Sequence, residues 1–184
     1  MIHLISHAIN IEQETSDNWR LIHFICKYRK LPIIKHIVEK GVNLECETKN
    51  GWRPIHFVCK TGDFEAIKYL LNCGVNIESE TYTYLRPLHI LLQYSDEDTV
   101  MYFLNKGIEM NKYVELNRIT KDNTYPFMLA CIRNFLQVII FMLDNNVEMC
   151  FGTEENQQMY NPIDCIFELC KPHIVNIIFA IILK

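Results

Sequence analysis

A long apolar run is missing from this sequence. The nearest approach, IVNIIFAIIL from Ile174 to Leu183, is broken by Asn176 and falls far short of the roughly 20 residues needed to cross a bilayer, so no membrane span is expected. A basic excess is missing as well: 18 Lys and Arg stand against 22 Asp and Glu, for a net charge of −4. The basic residues are scattered and offer no footprint for a phosphate backbone, which argues against nucleic acid as a partner. The opening MIHLISHAINIEQE has neither a basic region nor an unbroken apolar stretch, so a secretory signal is not expected. There is no glycine-rich phosphate loop, no GxSxG elbow and no HExxH; the chain reads as a non-enzyme with no catalytic residues, no cofactor and no metal.

What is present is enough apolar material for a core. Hydrophobic residues make up 49% of the 184 positions, which supports one domain or one continuous stack. Eight cysteines would suit a disulfide scaffold only in a short, exported, core-poor chain. Reduced thiols in an intracellular, cytoplasmic setting, a host cell included, fit better. Cys26 and Cys59, flanked by Ile25 and Val58, are placed as small hydrophobes between helices.

Two stretches, DNWRLIHFICK from Asp17 and NGWRPIHFVCK from Asn50, are near copies. Aligning Trp19, Trp52 and Leu85 gives a spacing of 33 twice, and His23, His56 and His89 fall into register, as do Gly41, Gly74 and Gly107. The segments NIEQET, NLECET and NIESET keep the same step, with Glu12, Glu45 and Glu78, then Glu14, Glu47 and Glu80, then Thr15, Thr48 and Thr81. Downstream the period loosens: Pro126 follows Pro87 by 39 and Pro162 follows Pro126 by 36. Insertions are therefore expected near 112–124 and 152–159.

Within one unit, Pro54 suits the first turn of a helix, and Ile55, Val58 and Cys59 recur at helical spacing until Gly62 interrupts. Phe64, Ile67, Leu70 and Leu71 mark a second helix, closed by a left-handed cap at Gly74. Asn146 stands in for that glycine in the fourth unit, since asparagine tolerates the same conformation. Each unit is predicted to be helix, turn, helix, loop.

Two short helices cannot bury both faces alone, but stacked neighbours share one core. The 33-residue period, the Pro-Ile-His and Pro-Leu-His openings at Pro54 and Pro87, Gly62-Asp63 and LLNCGVNIE together resemble the ankyrin repeat,. The resemblance implies an all-α, ankyrin-like helix-turn-helix-loop solenoid filling residues 1–184 as a single repeat domain. Its divisions would be a partial repeat at 1–15, regular repeats at 16–48, 49–81 and 82–114, and degenerate ones at 115–159 and 160–184. It also implies that His23, His56 and His89 tie helix to loop through backbone hydrogen bonds. Such repeats resemble those of eukaryotic regulatory proteins and of effectors of intracellular parasites, bacteria and large viruses.

Departures from the family pattern supply the candidate residues. Arg20, Arg53 and Arg86 replace the threonine that would cap the first helix, putting a cation at the positive end of a helix dipole. Either they pair with the Glu14, Glu47 and Glu80 ladder, or they face an acidic partner. Trp19, Trp52, Tyr82, Tyr84, Tyr113 and Tyr125 cluster in or beside the loops; they anchor an interface or fold back on the next helix. Asp63, Asp96, Asp98 and Asp164 lie near helix starts, where capping explains them.

The function expected is a non-catalytic protein-protein interaction module that meets another protein through loop tips and the concave helix face. The different-class alternative is a structural or assembly protein that self-associates through its apolar C-terminal helix. Leu4 to Ala8 align with Ile37 to Gly41, as if the chain began inside a second helix.

Overall fold

The computed structural model describes residues 10–28, 31–110, 114–145, 147 and 162–182. Ten helices are seen among them: α1 (Leu21–Lys27), α2 (Leu31–Glu39), α3 (Pro54–Thr61), α4 (Phe64–Asn72), α5 (Pro87–Tyr94), α6 (Glu97–Glu109), α7 (Pro126–Arg133), α8 (Leu136–Asp144), α9 (Pro162–Leu169) and α10 (Pro172–Ile182). No strand occurs among the described residues. None of these helices is long and apolar enough to cross a membrane. Ala8, Tyr113, Asn146, Leu183 and the expected insertion at 152–159 lie outside the described residues.

The chain forms two compact units, Met1–Ser95 and Asp96–Lys184. In the first, α1, α3 and α5 stack in a row, and α2 and α4 pair with α1 and α3 and with each other. The row explains why a first helix is apolar almost all round. Pro54 to Cys59 are buried without a break, because α3 has a neighbour on each side and its own α4 behind,. Only Lys60 escapes to solvent. In the second unit α7 packs on α8 and α9, and α8 touches both α6 and α10. Phe127, Ile139, Met142, Ile166 and Ile178 are fully buried there. Each unit follows the helix-turn-helix-loop plan of an ankyrin-like repeat.

The breakers act as their positions require. Gly41 and Gly74 take φ of +80° directly after α2 and α4, and Gly62 takes +65° after α3. Gly107 departs from the expected cap: it is buried inside α6, which runs on through Ile108 to Glu109. The reason lies two residues later. Asn43 and Asn76 accept the Glu45 and Glu78 amides at 2.8 and 3.0 Å on their side-chain oxygens, fixing a turn,. The corresponding residue after Gly107 is Glu109, a helix former, which pairs with Lys106 in the same helix at 3.0 Å,.

The loops before α1, α3, α5 and α7 each carry the same turn. The amides of Thr15, Thr48, Thr81 and Thr120 donate to the carbonyls of Trp19, Trp52, Leu85 and Thr124 at 2.9 to 3.1 Å. A left-handed residue closes each turn: Asn18, Gly51, Tyr84 and Asn123, at φ of 59°, 76°, 60° and 57°. The Thr120 turn puts the first insertion upstream of Thr120. Neighbouring tips are joined directly, Lys49 N–H to the Asp17 carbonyl at 2.9 Å and Tyr82 N–H to the Asn50 carbonyl at 3.1 Å.

Candidate functional site

The residues in register divide into a scaffold and a cleft. His23, His56 and His89 are fully buried. The Nδ1 atom of each accepts the backbone N–H of the arginine three residues before, at 2.9, 2.9 and 3.3 Å. An accepting Nδ1 leaves the proton on Nε2, which donates to the carbonyl of Cys46 from His23 (3.1 Å) and of Ser79 from His56 (3.0 Å),. The rings of His23 and His56 thus tie a helix start to the loop that leads into the next first helix. Burial holds His23 below the ordinary histidine range and lowers His56 to about 4, so both are neutral near pH 7,.

The arginines lie half-buried beside them and clamp their own loops. Arg53 Nε and Nη2 reach one oxygen of Glu47 at 3.0 and 2.7 Å, and Nη1 reaches Glu45 at 2.6 Å. Arg20 holds Glu14 at 2.9 and 2.6 Å and also Glu12; Arg86 holds Glu80 at 2.8 and 2.7 Å and also Glu78. The glutamate ladder is therefore the partner of these cations, extended to the Glu12, Glu45 and Glu78 series that sequence reasoning left without a role. The free oxygens of that series bind the next repeat: Glu12 accepts the Asn43 N–H at 2.7 Å and Glu45 the Asn76 N–H at 2.8 Å. Three nitrogens of each guanidinium are thus turned to two carboxylates of the loop before its helix.

Trp19 and Trp52 come together across Phe57, whose ring centroid is 4.9 Å from Trp19 and 5.1 Å from Trp52. Both indoles are half-exposed and form the floor of a cleft of about 500 Å³, lined also by Lys27, Thr48, Asn50, Lys60 and Thr61. The Lys27 ammonium lies 5.3 Å above Trp19 and 5.6 Å from Tyr28; Lys60 lies 5.3 Å above Trp52 and 5.7 Å from Tyr94,. Tyr82 and Tyr84 do not line the cleft. Tyr82 packs over Gly51, where an added Cβ would fall 2.7 Å from its ring, and Tyr84 is the left-handed residue of its turn. Sequence reasoning missed Lys27 and Lys60, although their spacing of 33 was there to be seen.

The pattern of buried histidine, proline-started first helix and left-handed glycine recurs along a stretch that matches, at residues 22–114, the family model for ankyrin repeats in 3 copies. The chain belongs to the ankyrin repeat family. Ankyrin repeats are generally protein-protein interaction modules, and domains built from them are typically non-catalytic. A comparison with curated proteins gives no match. In this ankyrin chain no group of three or more His, Cys, Asp or Glu converges as for a metal ion among the described residues. The thiols are placed as core: Cys26 and Cys59 are fully buried, and burial raises both above the ordinary cysteine range,. Asp63 and Asp96 cap α4 and α6, accepting from Ala66 at 3.2 Å and Thr99 at 2.7 Å.

Proposed function

We propose that the chain is a non-catalytic protein-binding module that meets its partner with the turn tips and first-helix face of residues 10–95. The observation that carries this reading is the Trp19, Phe57 and Trp52 cleft: hydrogen bonds and ion pairs occupy the histidines and arginines around it, whereas two large indoles stay half-exposed. Half-exposed aromatic anchors flanked by polar groups are what interface hot spots are made of. The test is affinity capture from a cell lysate with the wild type beside Trp19→Ala and Trp52→Ala, followed by mass spectrometry. Proteins captured by the wild type and lost from both variants support the reading; an unchanged set from folded variants removes it.

A second reading has its own observation. In α9 and α10 the side chains of Ile163, Phe167, Ile177 and Ile181 are 41 to 60% exposed, an apolar face suited to self-association. Light scattering over a range of concentrations tests it: a concentration-dependent oligomer abolished by Phe167→Ser with Ile177→Ser supports assembly, and a monomer throughout removes it. The setting we propose is intracellular, because all seven described cysteines are free and six of them are buried,.

A further inference from the structure

Folding of the repeat does not require the tryptophan and lysine couples. Thr15, Arg20, His23 and the two glutamates recur in all three regular units, at Thr48, Arg53 and His56 and again at Thr81, Arg86 and His89. The tryptophan and lysine recur only once: Trp19 and Trp52 give way to Leu85, and Lys27 and Lys60 give way to Gln93. A residue demanded by the repeat would be needed in the third copy too. The couples stand only where their two units face one cleft.

We propose that this cleft binds an acidic peptide segment of a partner protein, with a carboxylate between the Lys27 and Lys60 ammoniums and an apolar side chain against Trp19, Phe57 and Trp52. The proposal rests on the protein-binding reading of this face and adds the chemistry of the partner. Charge complementarity is its ground. The three arginines each hold two glutamates, whereas no carboxylate lies within ion-pair distance of Lys27 or Lys60 among the described residues. Each ammonium is instead held over an indole face, at 5.3 Å in both cases. An aromatic ring aims a cation without neutralising it, so the charge remains for an incoming anion. Backbone groups of the tips, Lys49 N–H and the Asn50 carbonyl, are already bonded to neighbouring tips. Recognition by added strand is thereby closed at those groups and falls to side chains, the exposed Asn50 among them. A single nucleic acid strand would also stack on indoles, but it needs a continuous cationic track, and this cleft has two ammoniums in a chain of net charge −4.

The chain contains 2 tryptophans, and both line the cleft, so intrinsic tryptophan emission reports on this site alone. A random pool of peptides about a dozen residues long, displayed and selected on the full chain, supplies the probes. Selected peptides should combine Asp or Glu with an apolar residue and change the emission saturably. Affinity should fall by about tenfold or more in the Lys27→Gln/Lys60→Gln double variant, and also as salt rises from about 0.05 to about 0.5 M. Both lysines are exposed, so the variant should keep the wild-type melting midpoint. Peptides without acidic residues that still change the emission and fail on Trp52→Leu would overturn the acidic partner while keeping the protein-binding reading. Failure to select any peptide dependent on Trp52 would overturn both. An oligothymidylate of similar length that changes the emission at lower concentration than the best peptide would overturn the proposal in favour of single-stranded nucleic acid.

Discussion

The unit of residues 10–95 and the unit of residues 96–182 use one plan with different fastenings. In the first, histidine, arginine and paired glutamates fix every loop. In the second, all of them are gone at once. At the spacing of 39 set by Pro87 and Pro126, Arg86 becomes Tyr125, His89 becomes Met128, and Glu78 and Glu80 become Asn117 and Ile119. Their joint loss shows that they work as one device: a guanidinium without its glutamates, or a histidine without its loop carbonyl, would leave a half-buried polar group unsatisfied. Capping changes one helix into the second unit. Asp63 and Asp96 cap their own helices, but their counterparts are Phe135 and Lys171. The preceding repeat makes good the loss: Glu97 accepts the Gln137 N–H at 2.6 Å, and Asn134 accepts the Lys171 N–H at 2.6 Å.

The sharpest way to break this comparison is His56→Ala. It leaves the Arg53 N–H and the Ser79 carbonyl without partners beside a cavity, and should cost about 3 kcal/mol by urea denaturation. Met128→Ala, at the same register but only half-buried, should cost less. Equal losses would mean that the histidine is no special fastening. The same ring gives a second expectation. Burial lowers its pKa to about 4 in the folded chain, against the ordinary histidine value of about 6.5,, so between these values the unfolded chain binds the extra proton. The stabilisation is complete above about pH 6.5, declines as pH falls toward 4 and is gone below it. Denaturation midpoints at stepped pH check this: the fall across that window should shrink in His56→Ala, and an unchanged fall would assign it to other groups.

Smaller effects probe the caps and clamps. Glu97→Ala should destabilise by about 1 kcal/mol and speed amide exchange at Gln137, some forty residues away, whereas Asp63→Ala should act at Ala66 of the adjoining helix. Exchange that speeds only within α6 would show that the cross-repeat cap is not formed in solution. Arg53→Thr should change the denaturation midpoint least. A threonine cap contributes about 1 kcal/mol, while two partly exposed ion pairs of up to about 1 kcal/mol each are lost. A loss well above 2 kcal/mol would mean that the clamp acts as a cooperative network.

Period and breakers made much of this legible. Pro54, Pro87, Gly62 and Gly74 announce the helix boundaries in the sequence, and His23, His56 and His89 follow from the resemblance they help to carry. The cleft was half legible. Trp19 and Trp52 stand out as loop aromatics, but Lys27 and Lys60 look like solvent-facing helix ends until the indoles are seen beneath them. Gly107 misled because register alone assigns a cap, while the residue two places on decides whether the helix stops. Glu97 could not be read at all: the amides that donate to it lie in another repeat, and the irregular spacing between hides which helix start it reaches.

The contact from Glu12 to Asn43, repeated from Glu45 to Asn76, makes the regular repeats interchangeable parts. Both carboxylates meet an amide 31 residues ahead, inside a period of 33. Inserting one further copy of a full period therefore gives the added carboxylate an equivalent asparagine to face, and the array can lengthen without opening a seam. The tryptophan and lysine couples obey no such rule, so a change in repeat number that leaves the scaffold whole would still create or erase a cleft.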